Sequence, residues 1–166
     1  HMRAEGSEIF DAVNEVCRIA REAKLPAHIS HLKLNTKPMW GKNKKLLARL
    51  DRARAEGIRL THDQYAYTAS STGLRQLLPD ESRAKGRDHF KKLIAGPAER
   101  KKITDWMKGR LKARNRDNYS YAVIANYKHD KSYNGLNIVE AAKKRFGDAS
   151  LDRQIDLLLE LEKNGG

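Results

Sequence analysis

A chain of 166 residues, 39% hydrophobic and 33% charged, is long enough for a domain with a real core and too apolar to be disordered. It carries 34 lysines and arginines against 21 acids, a net charge of +13, with a single cysteine and no apolar run near the ~20 residues of a membrane helix. Within these residues that excludes a spanning helix, an apolar signal peptide, an intramolecular disulfide and a cysteine zinc cluster made by this chain alone. The basic balance raises nucleic acid as a partner. The positive residues are spread, however, and in their densest part, Arg83 to Arg116, they alternate with apolar residues as on a solvated helix face.

In chain order, His1-Met2 is either a tag remnant or, with Arg3-Ala4-Glu5-Gly6 continuing it, native sequence, and Ser7 is a plausible N-cap. Ile9, Phe10, Val13, Val16, Cys17 and Ala20 recur at helical spacing and predict an amphipathic helix ending near Lys24-Leu25-Pro26, with Cys17 in the core. Ala27-His28-Ile29-Ser30-His31-Leu32-Lys33 follows as a buried strand running into the loop Lys33 to Lys42. Parallel α/β folds place their chemistry at the carboxyl ends of strands. His31 is therefore a candidate metal ligand and Lys33 a candidate holder of an anionic substrate group. The structural alternative is a core histidine bonded to backbone beside a solvated lysine. Trp40 is a pocket wall or a loop anchor. Leu46, Leu47, Leu50 and Ala53 predict a second amphipathic helix closed by Gly57, and Ile58 to Tyr65 a second strand. The hydroxyl-rich run Ala66 to Thr72 suits a loop that approaches a ligand.

Helix, strand, helix, strand is the pattern of β/α units on a parallel sheet. His1, His31 and Tyr65 are each separated by about one such unit of ~30 residues, so three successive strands would present them on one rim. Beyond Thr72 the pattern changes. Short apolar clusters at Leu74 to Leu78 and Phe90 to Ile94 precede a helix opened by Pro97 and continuing through Ile103, Trp106, Met107 and Leu111. Tyr119 to Asn126 reads as a third strand. Asn137-Ile138-Val139-Glu140 has the reciprocal capping pattern of a helix ending at Phe146-Gly147, and Ser150 caps a final helix with Leu151, Ile155, Leu158 and Leu159 inward.

Three pieces go beyond spacing: His1-Met2-Arg3-Ala4-Glu5-Gly6, His28-Ile29-Ser30-His31-Leu32-Lys33, and Asp63 to Thr72 with Tyr65-Ala66-Tyr67. In this order they resemble the N-acyl-D-amino-acid deacylases, or D-aminoacylases, of the amidohydrolase superfamily. The match runs from His1 to about Leu78, with a looser one over Ser120 to Gly166. The resemblance implies an α/β fold that is part of a TIM-type (β/α)₈ barrel. Residues 1–72 would be β/α units of the catalytic barrel, 73–117 a basic and mainly helical insertion, and 118–166 a further strand and two helices. It implies zinc-dependent hydrolysis of N-acyl-D-amino acids in the cytoplasm. It places His1 and His31 on the metal, and Lys33, Tyr65 and Ser71 on the substrate. One departure is Ala66, where the family usually has proline between the two tyrosines.

The family's His-x-His pair, its metal-binding cysteine and its catalytic aspartate have no counterpart here, and a barrel of this kind needs ~250 residues. The chain is therefore expected to be an internal fragment of a larger enzyme, inactive alone, with the remainder of the parent chain as its partner. His28 precedes the motif. His62 adjoins Asp63 as a structural partner or a support behind the site, and His89 and His129 lie in polar stretches. The rival readings are a basic α/β module that binds nucleic acid and a non-catalytic interaction domain.

Overall fold

The computed structural model describes residues 1–165. The chain divides into two compact units, His1–Thr68 and Ala69–Gly166. No helix among the described residues is long and apolar enough to cross a membrane.

The first unit is built on α1 (Ile9–Ala23), β1 (Ala27–Ile29), α2 (Asn43–Ala55) and β2 (Leu60–His62). Ile9, Ala12, Val13, Cys17 and Ala20 fall on one face of α1 and are buried, as their spacing of three and four requires. Lys24 closes the helix in the left-handed conformation (φ 54°), its N–H donating to Ala20 and Arg21, so that Pro26 can start a new direction. Helix α2 buries Leu46, Leu50 and Ala53 and turns at Gly57, whose φ of 85° is a conformation that glycine adopts without steric cost. Leu47, expected inward, is 44% exposed. Strands β1 and β2 pair in parallel, Ala27 with Leu60 and Ile29 with His62. Ile29, Leu32, Ile58 and Leu60 join the apolar faces of the two helices in one core.

Both strands are shorter than their apolar runs suggest. Pairing in β1 ends at Ile29, because the chain turns at Ser30-His31. His31 and Lys33 are thus beyond the strand rather than alternate positions on it.

The second unit contains α3 (Asp80–Arg83), α4 (Arg87–Ala95), α5 (Pro97–Ala113), α6 (Ile138–Phe146) and α7 (Leu151–Asn164). Its core joins Phe90, Met107, Ile138, Ile155, Leu157, Leu158 and Leu159, all essentially without solvent exposure. Pro97 opens α5 as expected. Asn137 forms the full reciprocal cap of α6: its Oδ1 accepts from the N–H groups of Val139 and Glu140, and Glu140 Oε2 accepts from the Asn137 N–H at 2.9 Å. Ser150 stands at the N-cap of α7, but its hydroxyl donates to Asp148 (2.8 Å) rather than capping the helix.

The third strand is not formed. Tyr119 to Asn126 is irregular, with one antiparallel bridge from Val123 to Asn137. The N–H of Ile124 donates to Leu136 (2.9 Å) and that of Gly135 to Ile124 (2.8 Å), so a neighbouring loop satisfies the segment. Val123, in the middle of the apolar run, is 59% exposed. The architecture is helix-rich α/β with a two-stranded parallel sheet.

Candidate active site

The site is made by the turn that ends β1. His31 has φ 45°, a left-handed conformation that costs a non-glycine residue about 1–3 kcal/mol unless its surroundings hold it. Asp63, just past β2, does so. Its N–H donates to Ile29 (3.1 Å), its carbonyl accepts from the N–H of Leu32 (2.9 Å), and its Oδ1 accepts from the N–H of His31. Its Oδ2 lies 2.9 Å from Nε2 of His28, whose Nδ1 is 2.8 Å from the Thr61 hydroxyl. The bonds from the His28 ring and then from the His31 N–H hold the Asp63 carboxyl below the usual carboxylate range. His62, next to Asp63 in sequence, instead meets Arg54 Nη2 at 3.0 Å. Asp63 and His28 were not singled out as site supports by the sequence reading. The signal was the period-two alternation of adjacent parallel strands, which sends His28 and Thr61 to one side.

The turn aims the His31 ring at the N-terminal segment. Nε2 of His31 is 2.6 Å from Nδ1 of His1, with the ring centroids 4.6 Å apart. On its other edge, Nδ1 of His31 is 2.7 Å from Oε1 of Glu5. Lys33 places its Nζ 2.6 Å from Oε2 of Glu5, 3.1 Å from the His31 carbonyl and 5.6 Å from the centre of the Tyr65 ring. Four of the five site residues taken from the sequence, His1, His31, Lys33 and Tyr65, therefore converge within one unit. The fifth, Ser71, belongs to the other unit and is exposed. Trp40, the candidate pocket wall or loop anchor, is 59% exposed.

The donor set suits a cation of borderline softness such as zinc. In the tautomer whose Nδ1–H donates to the Glu5 carboxylate, the His31 Nε2 lone pair would face the Nδ1 of His1. His1 and His31 would hold a metal through these two nitrogens once they open to the ~3.3 Å spacing of two ligands on a tetrahedral zinc. A carboxylate behind a ligating histidine is the usual support for that role. Among the described residues no three His, Cys, Asp or Glu side chains form a metal set of their own. Two imidazoles fill half of a tetrahedral zinc shell, so further ligands would come from elsewhere.

The comparisons with known proteins lead in the same direction. No family model matches the chain. Over 72 residues, 43% of the chain, it is 40% identical to the N-acyl-D-glutamate deacylase of Alcaligenes xylosoxydans xylosoxydans. The chain is similar to the N-acyl-D-amino-acid deacylases. It spans about 15% of the length of that relative. Among solved structures, a D-aminoacylase that defines a novel subset of amidohydrolases superposes over 98% of the chain and 25% of its own, with a TM-score of 0.61 and 28% identity. An N-acyl-D-glutamate deacylase from Bordetella bronchiseptica, solved with zinc and a phosphonate mimic of the tetrahedral intermediate, gives a TM-score of 0.53 at 22% identity, covering 93% of the chain and 24% of that one. At that identity the likeness is one of fold.

Proposed function

We propose that this chain is a part of a zinc-dependent cytoplasmic deacylase that hydrolyses N-acyl-D-amino acids to the free D-amino acid and a carboxylate. The observation that carries the reading is the meeting of the His1 and His31 ring nitrogens at 2.6 Å, with the Lys33 ammonium beside them at 3.1 Å from His31 Nδ1. It fits the 40% identity to a deacylase over 72 residues of the chain. The β1–α2–β2 pairing would be one piece of the enzyme's (β/α)₈ barrel, residues 73–117 a helical insertion, and 118–166 a further part. The remaining ligands and the catalytic aspartate would come from the rest of the parent chain.

His1 and His31 would hold the metal through neutral ring nitrogens. Zinc, when bound, supplies an acidified water and a polarised amide carbonyl. The chain's own groups do the rest of the holding. Lys33 brings a point charge on a flexible stem, suited to the carboxylate of the amino acid. The Tyr65 ring beside it carries a hydroxyl that can donate to the substrate.

The test uses the full-length product of the gene. The wild type should retain zinc and hydrolyse N-acetyl-D-amino acids. His31→Ala should lose the metal and turnover together. Lys33→Ala should keep its zinc while losing roughly 2–5 kcal/mol of transition-state stabilisation, the scale for truncating one partner of a buried charge pair. Zinc content in His31→Ala equal to that of the wild type would remove His31 from the site and most of this reading with it.

A further inference from the structure

Glu5 stands between the two halves of the cluster. One carboxylate oxygen faces the His31 ring at 2.7 Å and the other the Lys33 ammonium at 2.6 Å, and the side chain is 17% exposed. Among the described residues no other acid pairs with either group. Its backbone is fixed as well. The N–H of Asn35 donates to the Glu5 carbonyl at 2.9 Å, and a Cβ on Gly6 would meet Thr36 Cγ2 at 3.2 Å. Residues 5–6 thus lie against residues 35–36 with little room to shift.

A conflict at His31 Nδ1 makes this carboxylate necessary. The Lys33 ammonium is only 3.1 Å from that nitrogen and can act solely as a donor. Left to itself it would donate to Nδ1, which places the ring proton on Nε2, the atom that faces His1. A ring protonated there cannot ligate a metal through that atom. The Glu5 carboxylate resolves the conflict by accepting from both, from Nδ1–H with one oxygen and from the ammonium with the other.

We propose that Glu5 is a positioning residue that selects the metal-ready tautomer of His31 and, with the same carboxylate, parks the Lys33 ammonium beside the metal position. This rests on the reading of His31 as a ligand given above. It goes further in making Glu5 the arbiter between the metal group and the substrate group.

The experiment measures the zinc dissociation constant of the full-length protein by chelator competition, with no reference to turnover. Glu5→Gln keeps the shape and removes the charge, and should weaken zinc by 10–100-fold, the range for support groups behind a ligand. Glu5→Asp, which keeps the charge, should lose less. The decisive arm is Lys33→Ala. Alone it should leave zinc affinity unchanged. Combined with Glu5→Gln it should recover at least tenfold of what that variant lost, because the competing donor is gone, and a merely structural role of Glu5 would give no recovery. Zinc affinity in Glu5→Gln within twofold of the wild type, or a double variant no tighter than the single, would overturn the proposal. If Glu5→Gln does not fold, Glu5→Met, which likewise removes the charge at similar size, with and without Lys33→Ala carries the same comparison and the same overturning result. Failure of the deacylase reading looks different: the wild type itself would retain no zinc that His31→Ala loses.

Discussion

The turn at His31 and the start of α6 solve the same problem in opposite ways. Both leave backbone N–H groups that need partners, and in both a short polar side chain supplies one: Asp63 for His31, Asn137 for Val139 and Glu140. At α6 every local preference agrees. The N-cap is asparagine, a glutamate three residues on closes the box, and the far end turns left-handed at Gly147 (φ 73°). At His31 the preferences are broken. A histidine takes the left-handed conformation, and it, a lysine and a glutamate are packed at less than one-third exposure. Natural sequences break local rules mainly where function requires it. The contrast separates a part built for stability from a part built to hold polar groups in place.

If that contrast is right, the largest change in stability should come from the apolar core of the Ala69–Gly166 unit. Phe90 is 1% exposed and among its largest fully buried side chains. Phe90→Ala should cost about 3–5 kcal/mol, through lost transfer energy and the cavity left behind. The midpoint and slope of urea unfolding measure it, and a loss below about 1 kcal/mol would mean that this core relaxes around the hole.

The same contrast explains what the sequence revealed. Helices α1, α2, α5, α6 and α7 were legible because their periodicity and Gly or Pro stops are local signals, as is the Asn137 cap, whereas Glu8 rather than Ser7 stands at the N-cap of α1 and Ser150 makes no cap bond. The candidate site residues His1, His31, Lys33 and Tyr65 were legible through ordered motifs, which carry residue types but not geometry. The strand limits were not legible, because Leu32 is apolar and 4% exposed whether it continues a strand or follows a turn. The run around Val123 misled for the reverse reason. Four apolar residues meet the pattern of a buried strand, yet no second strand comes to pair with them and Val123 faces solvent. Glu5 stood in a quoted motif, but that it bridges His31 and Lys33 depends on contacts between residues far apart in the chain. Likewise His28, not the adjacent His62, pairs with Asp63.

A smaller effect should follow at α6. Asn137→Ala removes both bonds that its Oδ1 accepts from the first turn and should cost about 0.5–2 kcal/mol. Glu8, at the N-cap of α1, makes no side-chain cap bond, so Glu8→Ala is the matched control and should change stability far less. Equal losses in the two, read from thermal unfolding, would break the distinction between a helix held by its cap and one held by its packing.

The smallest effect concerns a polar group in the stability-built unit that breaks its rule. Glu162, in the last turn of α7, is 4% exposed, and its Oε2 has no hydrogen-bond partner among the described residues. Arg75 Nε is 4.0 Å from its other oxygen. A carboxylate is also poorly placed at a helix C-terminus, where the dipole is negative. Burial pushes the Glu162 carboxyl above its ordinary range, and the attraction of Arg75, Arg87 and Arg83 only partly opposes this. Between its unfolded and folded pKa values the folded chain then binds more protons than the unfolded one, so this group makes stability fall as pH rises through that window. Asp148, ahead of the same helix, acts with the opposite sign. The Ser150 hydroxyl and then the Ser150 N–H hold its carboxyl below the usual range. Its contribution is present above the unfolded pKa and is lost as pH falls through the folded one. Glu162→Gln should therefore stabilise the protein at neutral pH and remove the downward slope, while Asp148→Asn should flatten only the acid limb. Urea midpoints recorded across the acid range for the three proteins distinguish these signs. A slope in Glu162→Gln equal to that of the wild type would show that the carboxylate is already solvated or paired, and that this unit carries no buried charge at odds with its construction.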